Sequence, residues 1–265
     1  MNPRVRVPDL KQKKARGEKI AALTAYDATM ARLLDRAGID MVLVGDSLGM
    51  VVLGYADTVS VTLDDMLHHT RAVVRGVERA LVVVDMPFMS YQVSVPEAVR
   101  NAGRLLQEGG AGAVKLEGGR PVLDVVRRFV EVGIPVMGHL GLQPQSVRQI
   151  GYAKSATRPD TADRLVEDAI ALRDAGAFGI VLESIPAELA RLVTDSIDIP
   201  TIGIGAGPEC DGQILVSYDM LGLFDRFVPS FVQTYATLSE TIVTATREYV
   251  NDVHEGRFPR TLAKL

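Results

Sequence analysis

Short runs rich in β-branched residues alternate with longer stretches of helical period from residue 20 almost to the end of the chain. That alternation is the signature of an α/β fold. The strand candidates are Ile20–Tyr26, Met41–Asp46, Leu81–Asp85, Ala113–Glu117, Pro135–His139, Gly179–Glu183, Pro200–Gly205 and Arg226–Pro229, eight in all. Runs such as MVLVG and LVVVD are apolar almost throughout, the texture of parallel strands covered by helices on both faces. Between them, Ser94–Gln107 carries Val95, Ala98, Val99, Ala102, Leu105 and Leu106 at spacings of three and four, so one stripe of a helix faces inward. Ser94 with Glu97 predicts a capping box at the start of this helix, and Thr62 with Asp65 gives a weaker signal of the same kind. Asp163–Asp174 repeats the periodicity and Gly176 ends it. Eight strand-helix units in 265 residues fit a (β/α)8 barrel, whereas a doubly wound sheet more usually stops at about five to seven strands. The expectation is one barrel domain over residues 1–265, with residues 1–19 as a basic helical extension.

Composition excludes several other classes. With 47% apolar residues the chain supports a large core and needs no disulfide or structural metal to fold. The single cysteine, Cys210, rules out an intramolecular disulfide and suits a reducing, cytoplasmic setting. A net charge of −4 gives no bulk attraction for nucleic acid. Residues 1–19 hold seven basic and two acidic side chains but no interleaved aromatic, which reads as a solvated segment packed on the domain. No apolar run approaches the roughly 20 residues of a membrane helix.

The strand candidates from the second to the sixth each end in a titratable residue: Asp46, Asp85, Glu117, His139 and Glu183. In a barrel these ends share the face on which active sites are built, so the five are expected at one mouth. Singly, each has a plainer reading, since an Asp after a strand often caps a helix and a lone His often packs in a core. Together, four carboxylates repel one another, and a cation is the natural counterpart. Asp46 in VGDSLG and Asp85 in VVDMPF are expected to share a hard divalent ion. Mg2+ is preferred because zinc would want more His or Cys. Lys115 and Glu117 are two apart, so both point into the barrel if Val114 and Leu116 face the helices. Lys115 then contacts an anionic substrate, with Glu117 as an outer metal ligand. The rival readings are a Schiff-base lysine and a buried ion pair without further role. Glu183 is the candidate general base, or else a cap for the helix that Pro186 opens. His139 orients substrate, relays protons or simply packs. Gly203–Gly207 suits either phosphate binding on backbone N–H groups or a tight turn. Cys210 has no base beside it in sequence and reads as a structural thiol.

The segments LTAYD (23–27), VGDSLGMVVLGY (44–55), DMPFMSYQ (85–92), NAGRL (101–105), VKLEGG (114–119), GHLGLQPQS (138–146), VLESIPAELA (181–190) and GIGAGPECDGQILV (203–216) occur in this order. On these the chain resembles the ketopantoate hydroxymethyltransferase family. The resemblance implies a Mg2+-dependent, typically homodecameric barrel that converts 5,10-methylenetetrahydrofolate and 3-methyl-2-oxobutanoate into 2-dehydropantoate and tetrahydrofolate. Carried onto matching positions, it implies Asp46, Asp85 and Glu117 as metal ligands. It also implies Asp46, Ser47, Asp85 and Lys115 as contacts of the oxo acid, and Glu183 as proton acceptor. One segment departs from the family pattern. After QIGY a KVQGR-type stretch is replaced by AKSATR (Ala153–Arg158), which leaves open any contact of that loop with folate or a neighbouring subunit. The rival enzyme class is the phosphoenolpyruvate mutase and isocitrate lyase kind, similar barrels with acidic metal sites. Cys210 does not resemble the basic-set loop cysteine of its lyases. A catalytically silent assembly barrel is the rival outside enzymology, and the full set of candidate ligands argues against it.

Overall fold

The computed structural model describes residues 3–151 and 155–259. Eight parallel strands, β1 Ile20–Thr24, β2 Met41–Val44, β3 Leu81–Asp85, β4 Ala113–Glu117, β5 Val136–Gly141, β6 Gly179–Glu183, β7 Thr201–Ile204 and β8 Gly212–Leu215, form a closed barrel. Each pairs with its sequence neighbours, and β8 returns to β1. This is the (β/α)8 barrel that the alternation of apolar runs and amphipathic segments predicts. The barrel lies within a compact unit spanning residues 1–216. A second unit, 217–265, contains the helices Ser217–Met220 and Leu238–His254; within it Leu238 N donates to Leu221 O at 3.0 Å. Among the described residues no helix is long and apolar enough to cross a membrane.

The eighth strand is a correction. Arg226–Pro229, expected to form it, is irregular, and Phe227 there is 69% exposed. The strand is instead Gly212–Leu215, in which Ile214 faces inward and Gln213 outward. Gly212 breaks the apolar run that sequence scanning looks for, yet the fold requires it: a Cβ there would sit 2.4 Å from the Ile20 carbonyl oxygen of β1. The two capping signals also exchange rank. Thr62 and Asp65 form the complete reciprocal box, with Asp65 N donating to Thr62 Oγ1 at 3.1 Å and Thr62 N to Asp65 Oδ2 at 2.9 Å. Ser94 accepts only the forward bond, from Glu97 N at 3.3 Å. The helix expected over Asp163–Asp174 starts earlier, at Pro159, a residue whose fixed φ suits a first helical position.

The barrel interior changes character along its axis. Its lower part is an apolar cluster built from Ile20, Ala22, Met41, Leu43, Leu81, Val83, Ala113, Met137, Val181, Ile202 and Ile214. The basic N-terminal segment closes this end. Its helix Val7–Ala15 inserts the fully buried Leu10 into the same cluster. The lysines around it meet acidic partners on the barrel: Lys13 lies 2.9 Å from Asp40 and Lys14 2.9 Å from Asp211. The charge of residues 1–19 is thus used in packing, as the sequence suggests. Two residues further up each strand, the inward period that begins with Val83, Ala113, Met137 and Val181 arrives at Asp85, Lys115, His139 and Glu183.

Candidate active site

Strand register assembles the site. Asp85 of β3 is the register partner of Lys115 of β4, and Glu117 of β4 that of His139 of β5. Lys115 Nζ consequently lies 3.0 Å from Asp85 Oδ1 and 3.2 Å from His139 Nδ1. The imidazole joins both neighbouring glutamates, with Nδ1 3.5 Å from Glu117 Oε1 and Nε2 3.2 Å from Glu183 Oε2. Asp46, two residues beyond β2, donates its backbone N–H to Asp85 Oδ2 at 3.0 Å. Ser47 is half-buried and its Oγ lies 2.9 Å from the Tyr26 hydroxyl. The six residues Asp46, Asp85, Lys115, Glu117, His139 and Glu183 therefore form one connected group at the C-terminal strand ends. Glu183 is tied in through His139. It is also the most accessible, its side chain 17% exposed against 6% or less for those of Asp85, Lys115, Glu117 and His139.

Two of the plainer readings, those of helix caps, fall away. The helix Ala187–Ser196 takes Pro186 as its N-cap and has no side-chain cap, so Glu183 does not serve that end. The short helix Leu48–Val51 is likewise not capped by Asp46. Gly203 lies within β7, and Gly205–Gly207 begins the connection to β8. Cys210 is buried, and burial pushes its thiol up, which disfavours the thiolate. Of the divergent loop Ala153–Arg158, residues 153 and 154 lie outside the described residues. Ser155, the first of its described residues, donates its backbone N–H to the carbonyl of Ser184, the residue after Glu183, at 2.9 Å.

The electrostatics follow from burial of like charges. Desolvation holds the Asp46 carboxyl well above the usual range, and Asp85 and Glu117 add to this while Lys115 and the Gln145 amide oppose it. Desolvation raises Asp85 too, against the pull of Lys115. Burial would neutralise Lys115, but Asp85, Glu117 and Asp46 outweigh it and keep the ammonium protonated beyond its ordinary range. An amine held as ammonium is a poor Schiff-base nucleophile. Burial and Lys115 disfavour the His139 imidazolium, yet Glu117 and Glu183 prevail and lift its pKa to about 9. His139 Nε2 stands at ion-pair distance from Glu183 Oε2, with no acceptor aligned on it as a hydrogen bond.

The donor set fits a hard divalent cation. Three buried carboxylates, Asp46, Asp85 and Glu117, offer only oxygen. Asp85 Oδ1 has Lys115 at ion-pair distance but no donor aligned on it as a hydrogen bond. Among the described residues no three ligand side chains already converge on one point, so the fit lies in donor chemistry and in this under-satisfied oxygen.

Sequence reading missed two uncharged members. Gln145, in the single turn Pro144–Ser146 after β5, donates its side-chain amide to Asp46 Oδ2 at 2.9 Å and its backbone N–H to Glu117 Oε2 at 3.1 Å. Tyr91 accepts at its hydroxyl from Glu117 N at 3.2 Å and donates to Gln145 Oε1 at 2.8 Å. Both lie in segments quoted above, but nothing in an amide or a phenol on a loop signals such placement. Gly141, at the end of β5, holds β6 close. Its φ is +99°, and a Cβ would meet the Glu183 carbonyl oxygen at 2.2 Å. Gly141→Ala is expected to cost roughly 3 kcal/mol or more, combining left-handed strain with a backbone clash. Urea denaturation checks this, and a loss below 1 kcal/mol would show that β6 yields freely.

Comparison with known proteins agrees with this geometry. The family model described as ketopantoate hydroxymethyltransferase matches residues 4–261. The 3-methyl-2-oxobutanoate hydroxymethyltransferase of Moorella thermoacetica is 58% identical over 257 residues, 97% of this chain and 96% of the relative. That of Syntrophus aciditrophicus is 60% identical over 247 residues, covering 93% and 91%. In fold the chain is similar to 2,3-dimethylmalate lyase, a member of the phosphoenolpyruvate mutase and isocitrate lyase superfamily (TM-score 0.61, 20% identity, 98% and 90% covered). It is also similar to phosphonopyruvate hydrolase, solved with oxalate and Mg2+ (TM-score 0.63, 12% identity, 98% and 92% covered). The barrel is thus shared with the rival lyases, while matching over nearly the whole length decides between the two: the chain belongs to the ketopantoate hydroxymethyltransferase family.

Proposed function

We propose that the chain transfers the one-carbon unit of 5,10-methylenetetrahydrofolate to 3-methyl-2-oxobutanoate, consuming one water and giving 2-dehydropantoate and tetrahydrofolate. The observation that carries this reading is the continuous line from Asp85 through Lys115 and His139 to Glu183. It joins an acid-rich, cation-suited end to a more exposed carboxylate. Asp46, Asp85 and Glu117 would hold Mg2+, which when bound supplies a Lewis acid for the oxygens of the 2-oxo acid. Lys115, fixed as an ammonium, meets the substrate's negative charge and the charge that develops on the ketone oxygen. Asp46, Ser47 and Asp85 position the oxo acid from the β2 and β3 ends. Glu183 accepts the C3 proton, and the electron pair left behind passes into the ketone as an enolate. C3 then bonds to the methylene carbon of the folate as one of its two carbon–nitrogen bonds breaks; water displaces the second nitrogen and provides the new hydroxyl, and the two nitrogens take up the proton lost from C3 and the one lost from water. His139, its Nε2 beside Glu183, holds that carboxylate in place.

Family membership also supports a homodecameric assembly, and the unpaired, buried Cys210 supports a cytoplasmic setting. The test is direct. Purified protein supplied with both substrates should form 2-dehydropantoate in a reaction that stops with EDTA and resumes with excess Mg2+. Cleavage of a 2-oxo acid without folate, with no 2-dehydropantoate formed, would place the chain with the lyases. Borohydride added with the oxo acid should trap no adduct on Lys115.

A further inference from the structure

The polar capacity of the Gln145 side-chain amide is fully used in a buried setting. Its Nε2 lies 2.9 Å from the Met86 carbonyl oxygen and 2.9 Å from Asp46 Oδ2. Its Oε1 takes the Tyr91 hydroxyl at 2.8 Å and faces Gln92 Nε2 at 3.4 Å. A backbone carbonyl only accepts, so the amide orientation follows from chemistry: the NH2 must face Met86, and its second proton must face Asp46. Tyr91 closes the other side: its hydroxyl accepts from Glu117 N at 3.2 Å and has one proton to give, for which Oε1 at 2.8 Å is nearer than the Glu117 carbonyl oxygen at 3.2 Å. At the same time the Gln145 backbone N–H holds Glu117 Oε2. One residue therefore grips one oxygen of each of two carboxylates that come from β2 and β4, strands that are not neighbours.

From this we infer that Gln145, locked by Tyr91 and the Met86 carbonyl, is the positioning residue that aligns Asp46 and Glu117 for a divalent cation. This rests on the cation-ligand reading of those two carboxylates. An N–H donor on one carboxylate oxygen fixes how the carboxylate is turned and leaves the other oxygen to face a metal. Partners standing behind metal ligands in this way are typically worth about 10–100-fold in affinity. The lock also explains why an amide serves better than a carboxylate here, since Glu would set an acceptor against both the Met86 carbonyl and Asp46.

The experiment is calorimetric titration of Mn2+ into substrate-free protein, with melting temperature in EDTA as the control for folding. Gln145→Leu should raise the dissociation constant about 10–100-fold. Tyr91→Phe, which touches neither Asp46 nor the Glu117 carboxylate, should act in the same direction by several-fold. The double variant should be no weaker than Gln145→Leu alone, because both changes break one lock. A folded Gln145→Leu protein with wild-type affinity overturns the inference. Should that variant fail to fold, an unchanged affinity in Tyr91→Phe overturns it equally. Absence of Mn2+ binding by the wild-type protein would sink the inference too, through the cation reading beneath it, and is told apart from the other outcomes because it appears before any substitution is made.

Discussion

Glu183→Gln is expected to lower the exchange of the C3 hydrogen of 3-methyl-2-oxobutanoate into deuterated water by a thousandfold or more, while binding of the oxo acid changes by only a few-fold. The magnitude is that of a general base removed from a carbon acid, at the upper part of the usual range of about 10²–10⁴ because, among the described residues of the cluster, no second carboxylate is comparably exposed to take over. Asp46, Asp85 and Glu117 are each nearly enclosed, and each accepts a backbone N–H or a side-chain amide from the protein. The amide of glutamine retains the size of the side chain and its contact with His139, so lost exchange with retained binding separates proton transfer from positioning. Exchange is read by proton NMR and binding by calorimetry. Undiminished exchange would transfer the base role elsewhere in the cluster.

Lys115→Met should produce the largest change in folding stability. The ammonium is the counter-charge to Asp85, Asp46 and Glu117 inside a buried pocket, and removing one partner from such a group commonly costs about 3–5 kcal/mol. The sign of the pH dependence follows. In the wild type the folded-state pKa of Lys115 lies above its unfolded value, so its contribution is fully present below the unfolded pKa and lost as pH rises through the folded one. In the variant the burden falls on Asp46 and Asp85, whose folded-state pKa values are already raised by burial and rise further without the lysine. Groups of that kind favour folding most when protonated. The variant should therefore recover stability as pH falls from 7 toward the unfolded carboxylate range near about 4. Mg2+ should restore it at pH 7 by the alternative route of supplying positive charge. Denaturation at pH 5 and 7, each with EDTA or Mg2+, checks all four arms. Wild-type stability at pH 7 in EDTA would show that Lys115 is not the counter-charge.

How much of this was legible in the sequence depends on the kind of signal. Apolar runs that become strands, and the carboxylates that end them, are local patterns, so β1 to β7 and the residues Asp46, Asp85, Glu117 and Glu183 could be read directly. The two-residue spacing of Lys115 and Glu117 put them on one side of their strand, inward on the condition that Val114 and Leu116 face the helices. β8 escaped because Gly212 looks like a break until the Ile20 carbonyl of β1 is placed against it. Gln145 and Tyr91 escaped for a related reason: their side chains carry no charge, and their value comes wholly from what the barrel closure brings beside them. His139 stood between the two cases, visible as a titratable strand residue but with its bridging role set by strand register.

That register has a bearing on how the sheet is put together. A slip of one residue in β4 would turn Lys115 and Glu117 out among helix side chains and bring Val114 and Leu116 to the lumen, stranding an ammonium and a carboxylate far from water. The same side chains that handle the substrate therefore serve as a ruler for closure, making misaligned barrels electrostatically expensive. A change that dulls the chemistry by removing one of these charges also blurs the mark by which neighbouring strands find their place.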